Sequence, residues 1–170
     1  MSQEQPGVEI VEGGLEDVET VFAITRAVFH DHGDGTAPVE PRSEQERTEL
    51  EVKLRRLHKR IEEHAATIFL AQVDGRSVGF SIGYESEPGL YYYWLSAVLA
   101  EHRRRGIGKL LLHAQIDDAR QREFDAIWFA ADNEAVDMII MGLHEGFRIV
   151  KAEYSAQHEC VMVHMQKALK

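Results

Sequence analysis

Arg103-Arg104-Arg105-Gly106-Ile107-Gly108-Lys109 is the stretch of this chain whose residue types and spacing point most directly to chemistry. An apolar, strand-like run, Tyr91 to Leu99, leads into it through a short polar turn. A helical pattern follows, with Ile107, Leu111 and Ala114 at i, i+4 and i+7. Strand, glycine turn and helix start together make an anion site. The first backbone N–H groups of a helix have no internal acceptor. The helix dipole adds partial positive charge there, worth about 0.3–1 kcal/mol per anionic group. Glycines at 106 and 108 carry no Cβ, so a phosphate can approach the main chain closely. Arg103, Arg104 and Lys109 add full charges and guanidinium forks. Two phosphate loops are excluded. Leu111 holds the third glycine position of G-x-G-x-x-G, and no Gly-Lys-[Ser/Thr] follows the turn. The bland alternative is a solvated basic turn capping an ordinary helix.

Other residues are weaker candidates. His30-x-His32 with Asp31 and Asp34 has the residue types of a metal site. No third well-spaced ligand cluster accompanies it, so no metal is expected. Tyr91, Tyr92, Tyr93 and Trp94 read as sheet packing with bonded polar tips. Cys160, the single cysteine, reads as a small packed hydrophobe.

The elements that position these residues can be read in chain order. Val8 and Ile10 alternate around Glu9 like a first strand that Gly13-Gly14 ends. Leu15 to Phe29 reads as a helix with Leu15, Val18, Val21 or Phe22, Thr25 and Phe29 near one face. The Gly- and Pro-rich run that follows, HDHGDGTAPVEPRS, is a loop. Ser43 is an N-cap with Glu46 completing a capping box, and the helix it opens carries Leu50, Leu54, Leu57 and Ile61 in one stripe, ending near His64. Glu49/Lys53 and Glu51/Arg55 are i, i+4 pairs outside. Thr67 to Val73 and Ser77 to Tyr84 are strands joined at Asp74-Gly75, a hairpin signal. A turn over Glu85 to Gly89 leads to the strand Leu90 to Leu99, and the next helix runs from about Ile107 to Arg122. A strand over Asp125 to Ala131 reached through that helix implies a parallel crossover. A helix near Ala135 to His144 and strands over Phe147 to Tyr154 and Cys160 to Met165 complete the pattern.

At 170 residues, 44% hydrophobic and 28% charged, the chain suits one globular domain over 1–170. It has no repeat and no apolar run of membrane-spanning length. Its N-terminus, MSQEQPGVEI, does not read as a signal peptide, and one cysteine allows no internal disulfide, so a cytoplasmic location is expected. The net charge of −10 argues against a general nucleic-acid binder. The basic cluster at 103–109 is an island on an acidic chain, which fits a bound polyanion.

Arg103-x-x-Gly106-x-Gly108 behind a strand ending at Val98 resembles the Q/R-x-x-G-x-G/A motif of the GNAT superfamily of N-acetyltransferases. The element order, β α α β β β α β α β β, is similar to that family's α/β fold, a mixed sheet with helices on both faces. The resemblance implies acetyl-CoA as co-substrate, with its pyrophosphate held by Arg103, Arg104, Gly106, Ile107, Gly108 and Lys109. It implies that Ser96, Ala97 and Val98 line the pantetheine arm and thioester. Asn133 and Gly146-Phe147 resemble the ends of a later family motif, which makes Asn133 a further CoA contact, although two residues beyond the usual spacing. Gly142 stands where that motif often carries a proton-donating tyrosine, and His144 faces elsewhere on a helix. Tyr92 stands where some relatives carry a glutamate base; Glu85, Glu87 and the loop histidines are other candidates. His30, Asp31, His32 and Asp34 would border the acceptor pocket. The resemblance thus implies direct transfer of acetyl to an amine in a ternary complex, with no metal, no nucleic acid and no membrane, and pairing as a homodimer is open. Two other readings stay open: a non-catalytic acyl-CoA sensor, and an interaction module using Arg103–Arg105.

Overall fold

The computed structural model describes residues 7–29, 41 and 43–170. Its strands are β1 (Val8–Gly13), β2 (Thr67–Val73), β3 (Arg76–Glu87), β4 (Leu90–Val98), β5 (Ala126–Asp132), β6 (Arg148–Ser155) and β7 (Cys160–Ala168). The helices are α1 (Val18–Phe29), α2 (Glu44–Glu63), α3 (Ile107–Gln121) and α4 (Val136–His144). This is the expected α/β order, with strands arranged β1-β2-β3-β4-β5-β7-β6. The chain packs as two compact units: Met1–Gly83 with Leu95–Gln115, and Tyr84–Trp94 with Ile116–Lys170.

In the first unit, β1, β2 and the start of β3 form an antiparallel meander. The β2–β3 turn is the two-residue Asp74-Gly75, with φ of +50° and +74°. Both values fit a type I′ turn, whose twist matches that of the flanking strands. α2 begins as its sequence dictates: the Glu46 N–H donates to Ser43 Oγ at 3.1 Å, and Leu50, Leu54 and Leu57 are half-buried above a buried Ile61. α1 differs from the expected helix. A 3-10 turn over Leu15–Asp17 precedes it, because the Asp17 carboxylate accepts from the Gly14 N–H at 2.9 Å and caps the chain there. The buried stripe is therefore Val18, Val21, Ile24 and Ala27, while Leu15 and Phe29 are exposed. Thr25 turns its hydroxyl back to the Val21 carbonyl at 2.8 Å. α3 is anchored through Ile107 and Leu111, which pack with Ala71 and Val78, and Val98 and Leu99 lie against the same cluster. Each fully buried side chain of that size contributes about 1.5–3 kcal/mol.

In the second unit, β5 pairs in parallel with β4 and antiparallel with β7, and β6 is the outer neighbour of β7. β3 runs on to Glu87, so the turn expected over 85–89 contracts to Pro88-Gly89, with Gly89 at φ +80°. The Ser86 hydroxyl donates to the Leu90 carbonyl across that turn at 3.2 Å. Tyr91, Tyr93, Ile127, Phe129, Phe147 and Met165 are buried. α4 comes close to this group at Gly142: a Cβ there would stand 2.7 Å from Phe129 Cζ and 3.1 Å from Met165 Cε.

Candidate functional site

The glycine turn forms at the end of β4, where the strand stops at Val98 and a 3-10 turn over Ala100–His102 redirects the chain. Arg103 does not simply project into solvent: its Nε donates to the Val98 carbonyl at 3.1 Å, tying the turn back to the strand. Arg105 and His102 share a 3.1 Å hydrogen bond between Nη1 and Nδ1. Arg104 and Gly106 both adopt positive φ, +60° and +74°. Such a backbone suits glycine, and at Arg104 it is strained. The Gly106 carbonyl accepts from the Leu110 N–H at 3.1 Å, so Gly106 is the residue from which α3 starts. The N–H groups of the first turn of α3 then have no intrahelical acceptor. The first turn of α3 holds no acidic side chain that would offset the dipole. Ile107 is buried and fixes the turn, whereas Arg103, Arg104, Arg105, Gly106 and Lys109 are exposed and Gly108 is half-buried. An anion presented to this turn meets oriented donors and cationic side chains together.

The strand leading into the turn has a second property. The β4–β5 ladder consists of Leu90↔Ala126, Tyr91↔Ile127 and Tyr92↔Trp128. β4 continues to Val98 and β5 to Asp132 outside that ladder. The Tyr93–Val98 stretch of β4 therefore has an edge that β5 does not pair, and strand edges of this kind bond extended amide-bearing ligands. Ser96 and Val98 are half-buried and Ala97 is buried. Gly79 on β3 makes room for this segment, since a Cβ there would meet the Ala97 carbonyl at 3.0 Å.

The second unit holds the other described candidates. Tyr92 stacks face to face on Trp128, with ring centroids 4.0 Å apart and planes 11° apart. Trp128 continues the row to His164 at 5.8 Å and 12°, and its Nε1 donates to Ser86 Oγ at 3.0 Å. Tyr84 meets Tyr92 edge-on at 5.5 Å. Trp128 and His164 were not singled out by sequence reasoning. Trp128 lies in a strand whose partners are set by long-range pairing, and His164 belongs to β7, which inserts between β5 and β6. The alternation of Cys160, Met162, His164 and Gln166 along β7 was the available signal.

Asn133 follows β5 directly and braces β7: its N–H donates to the Val161 carbonyl at 2.9 Å, and its Oδ1 accepts from the Val161 N–H at 3.0 Å. Its side-chain oxygen is thus committed to the fold. Beside it, Asp132 accepts from the Glu134 N–H at 2.8 Å, and this bond, with help from Cys160, holds its carboxyl below the usual carboxylate range. The Cys160 thiol is pushed up, first by burial and then by Asp132, which disfavours the nucleophilic thiolate. Gly142 is buried and has no space for a side chain. A phenol cannot be accommodated at that position. His30, Asp31, His32 and Asp34 lie outside the described residues. Among the described residues, no three His, Cys, Asp or Glu side chains are grouped to hold a metal ion.

The family model "Acetyltransferase (GNAT) family" matches residues 27–142. No curated protein matches the chain. Among solved structures, Ard1 from Thermoplasma volcanium is 20% identical, with a TM-score of 0.68 over 95% of this chain and 97% of that one. The ribosomal-protein-S18-alanine N-acetyltransferase from Escherichia coli is 15% identical, with a TM-score of 0.70 over 96% of this chain and 94% of that one. The Salmonella typhimurium protein yncA, solved with its cofactor acetyl-CoA, is 12% identical, with a TM-score of 0.69 over 96% and 95% of the two chains. At these identities the likeness is one of fold.

Proposed function

The chain belongs to the GNAT acetyltransferase family, and from that premise we propose that it transfers the acetyl group of acetyl-CoA directly to an amine in a ternary complex. The observation that carries this reading is the Arg103–Lys109 turn, with its open α3 N-terminus at the end of a β4 segment outside the β5 ladder. In this reading the N–H groups of 106–109 with Arg104 and Lys109 hold the pyrophosphate. Arg103 contributes charge while its Nε secures the turn. Ser96, Ala97 and Val98 line the pantetheine arm, and a backbone N–H there polarises the thioester carbonyl. A neutral amine nitrogen attacks that carbonyl; the C–N bond forms and the C–S bond breaks. The departing thiolate takes the proton released by the acylated nitrogen or one from solvent. Proximity in the ternary complex supplies much of the rate.

In this reading residues 1–170 act as one catalytic domain, in the cytoplasm. Among the described residues, no helix is long and apolar enough to cross a membrane. The acceptor is an amine on a small molecule or a peptide, and association as a homodimer is compatible with the exposed Ile149, Val150 and Tyr154 of the outer strand β6.

A second reading, a non-catalytic acyl-CoA sensor, draws on one observation: Gly142 leaves no place for a tyrosine acid. Thiol release from acetyl-CoA with a panel of primary amines separates the two. Amine-dependent release supports the transferase. Tight acetyl-CoA binding with no release on any amine would leave the sensor.

A further inference from the structure

Resting on the acetyltransferase reading, we infer that Gln115 and Ser81 are positioning residues of the cofactor turn. Their buried hydrogen bonds fix α3 along its own axis against β2 and β3, and with it the N–H groups that face the pyrophosphate. Every residue of this latch belongs to the first unit, as does the turn itself.

The face of α3 that meets β2 and β3 is mostly hydrocarbon, with Ile107 and Leu111 packed on Ala71 and Val78. Burial of this kind is non-directional, so it sets the face of the helix more strictly than its height. A hydrogen bond sets height as well, because it weakens steeply outside a narrow range of distance and angle. Among the described residues, Ser81 and Gln115 are the buried polar side chains other than tyrosine, and both are 0% exposed.

The two side chains are bonded to each other and to the main chain on either side. Gln115 Nε2 donates to Ser81 Oγ at 3.1 Å and to the Thr67 carbonyl at 3.3 Å, and Ser81 Oγ donates to the Leu111 carbonyl at 3.4 Å. The donor and acceptor roles close: the amide uses both N–H groups of its nitrogen, and the hydroxyl accepts one bond and gives one. The Thr67 carbonyl also decides which way the amide points, since the amide oxygen would be repelled there. Thr67 opens β2, Ser81 lies on β3, and Leu111 and Gln115 stand one turn apart on α3. The latch therefore ties two strands to two successive turns of one helix. Sliding α3 by one residue's rise, about 1.5 Å, pulls these bonds out of range in a site that water does not reach.

Gln115 stands about 12 Å along the axis from Ile107, the first residue of α3, at about 1.5 Å per residue. A helix is stiff over that length, so an axial shift at Gln115 is delivered to the N–H groups of the turn. Gly79 shares a face of β3 with Ser81 and extends the same support. A Cβ there would meet the Ala97 carbonyl at 3.0 Å and Leu111 Cδ1 at 3.4 Å. β3 thus carries both α3 and the strand segment before the turn.

Calorimetric titration of the full chain with acetyl-CoA tests the assignment. Gln115→Met keeps the length of the side chain and removes its donors. It is expected to weaken acetyl-CoA binding by about 10-fold, because donors held out of line lose their charge-assisted bonds. Ser81→Ala is expected to weaken it by a smaller factor, and the double variant to bind no more weakly than Gln115→Met alone, since both act through one latch. Ile24→Val, a buried change in α1, serves as the stability control and is expected to bind as the parent does. Followed by thiol release, the loss in Gln115→Met should appear in the KM for acetyl-CoA with kcat nearly unchanged. Parent affinity in a folded Gln115→Met would overturn the assignment. So would an equal loss of affinity in Ile24→Val at the same loss of melting temperature, since binding would then merely track stability. If Gln115→Met does not fold, Ser81→Ala takes the same titration, and parent affinity there overturns the assignment too. A parent chain that binds no acetyl-CoA fails the acetyltransferase reading itself, and the latch fails with it.

Discussion

At the scale of single residues, glycines decide what the helix start can bind. Gly108 is half-buried in the first turn of α3, where donors face outward. Gly108→Glu places a carboxylate at the proposed pyrophosphate site. It is expected to reduce acetyl-CoA affinity by 100-fold or more, about 2.8 kcal/mol at 1.4 kcal/mol per tenfold, in a calorimetric titration. Retained affinity would remove this placement. Gly142 gives the opposite lesson, because its space is already filled by Phe129 and Met165. Gly142→Ala is expected to lower unfolding free energy by about 1–3 kcal/mol in a denaturant titration. Gly142→Tyr, the change that would restore the family tyrosine, is expected to destabilise further and to raise no activity. Sequence showed both glycines but not their difference. The value of a missing Cβ depends on what packs opposite, and Phe129 and Met165 reach Gly142 from distant strands.

At the scale of elements, structure follows local sequence wherever local forces decide. The Ser43 cap, the Asp74-Gly75 turn and the start of α3 at Ile107 all match the spacing of their own residues. The expected bounds differ where a side chain caps the backbone or where a shorter turn suffices. Asp17 shortens α1 by capping Gly14, and β3 continues through Glu85–Glu87 because only Pro88-Gly89 is needed to reverse it. The link between β6 and β7 was invisible in sequence, since it joins Glu153 and Lys151 to His164 across a ladder with a register shift between Ile149 and Lys151. Lys151, then His164, hold the Glu153 carboxyl below its ordinary range. A carboxyl depressed in the folded state stabilises the fold above its unfolded pKa, and that contribution is lost as pH falls through the folded value. The melting-temperature gap between the parent chain and Glu153→Gln is therefore expected to be largest near neutrality and to close on acidification. A gap that widened in acid would contradict the ion-pair account.

At the scale of the whole molecule, the parallel step from β4 to β5 follows from an element order legible in the sequence, whereas the insertion of β7 between β5 and β6 does not. The glycine turn was legible because strand end, glycines, cations and helix start are adjacent in the chain. The row of Tyr92, Trp128 and His164 was not legible, because it is assembled from three strands that are remote in sequence. Charge adds a constraint at this scale. The chain carries a net −10, so in the proposed function the basic turn has to hold a polyanion against the repulsion of its surroundings. Geometry has to supply selectivity for acetyl-CoA over other phosphates. The most direct test is a calorimetric titration of the purified protein with acetyl-CoA at physiological salt, with ATP as the control anion. Saturable one-to-one binding of acetyl-CoA that ATP does not reproduce is the predicted result. No binding, or equal binding of ATP, would contradict it and reduce Arg103–Lys109 to a basic turn.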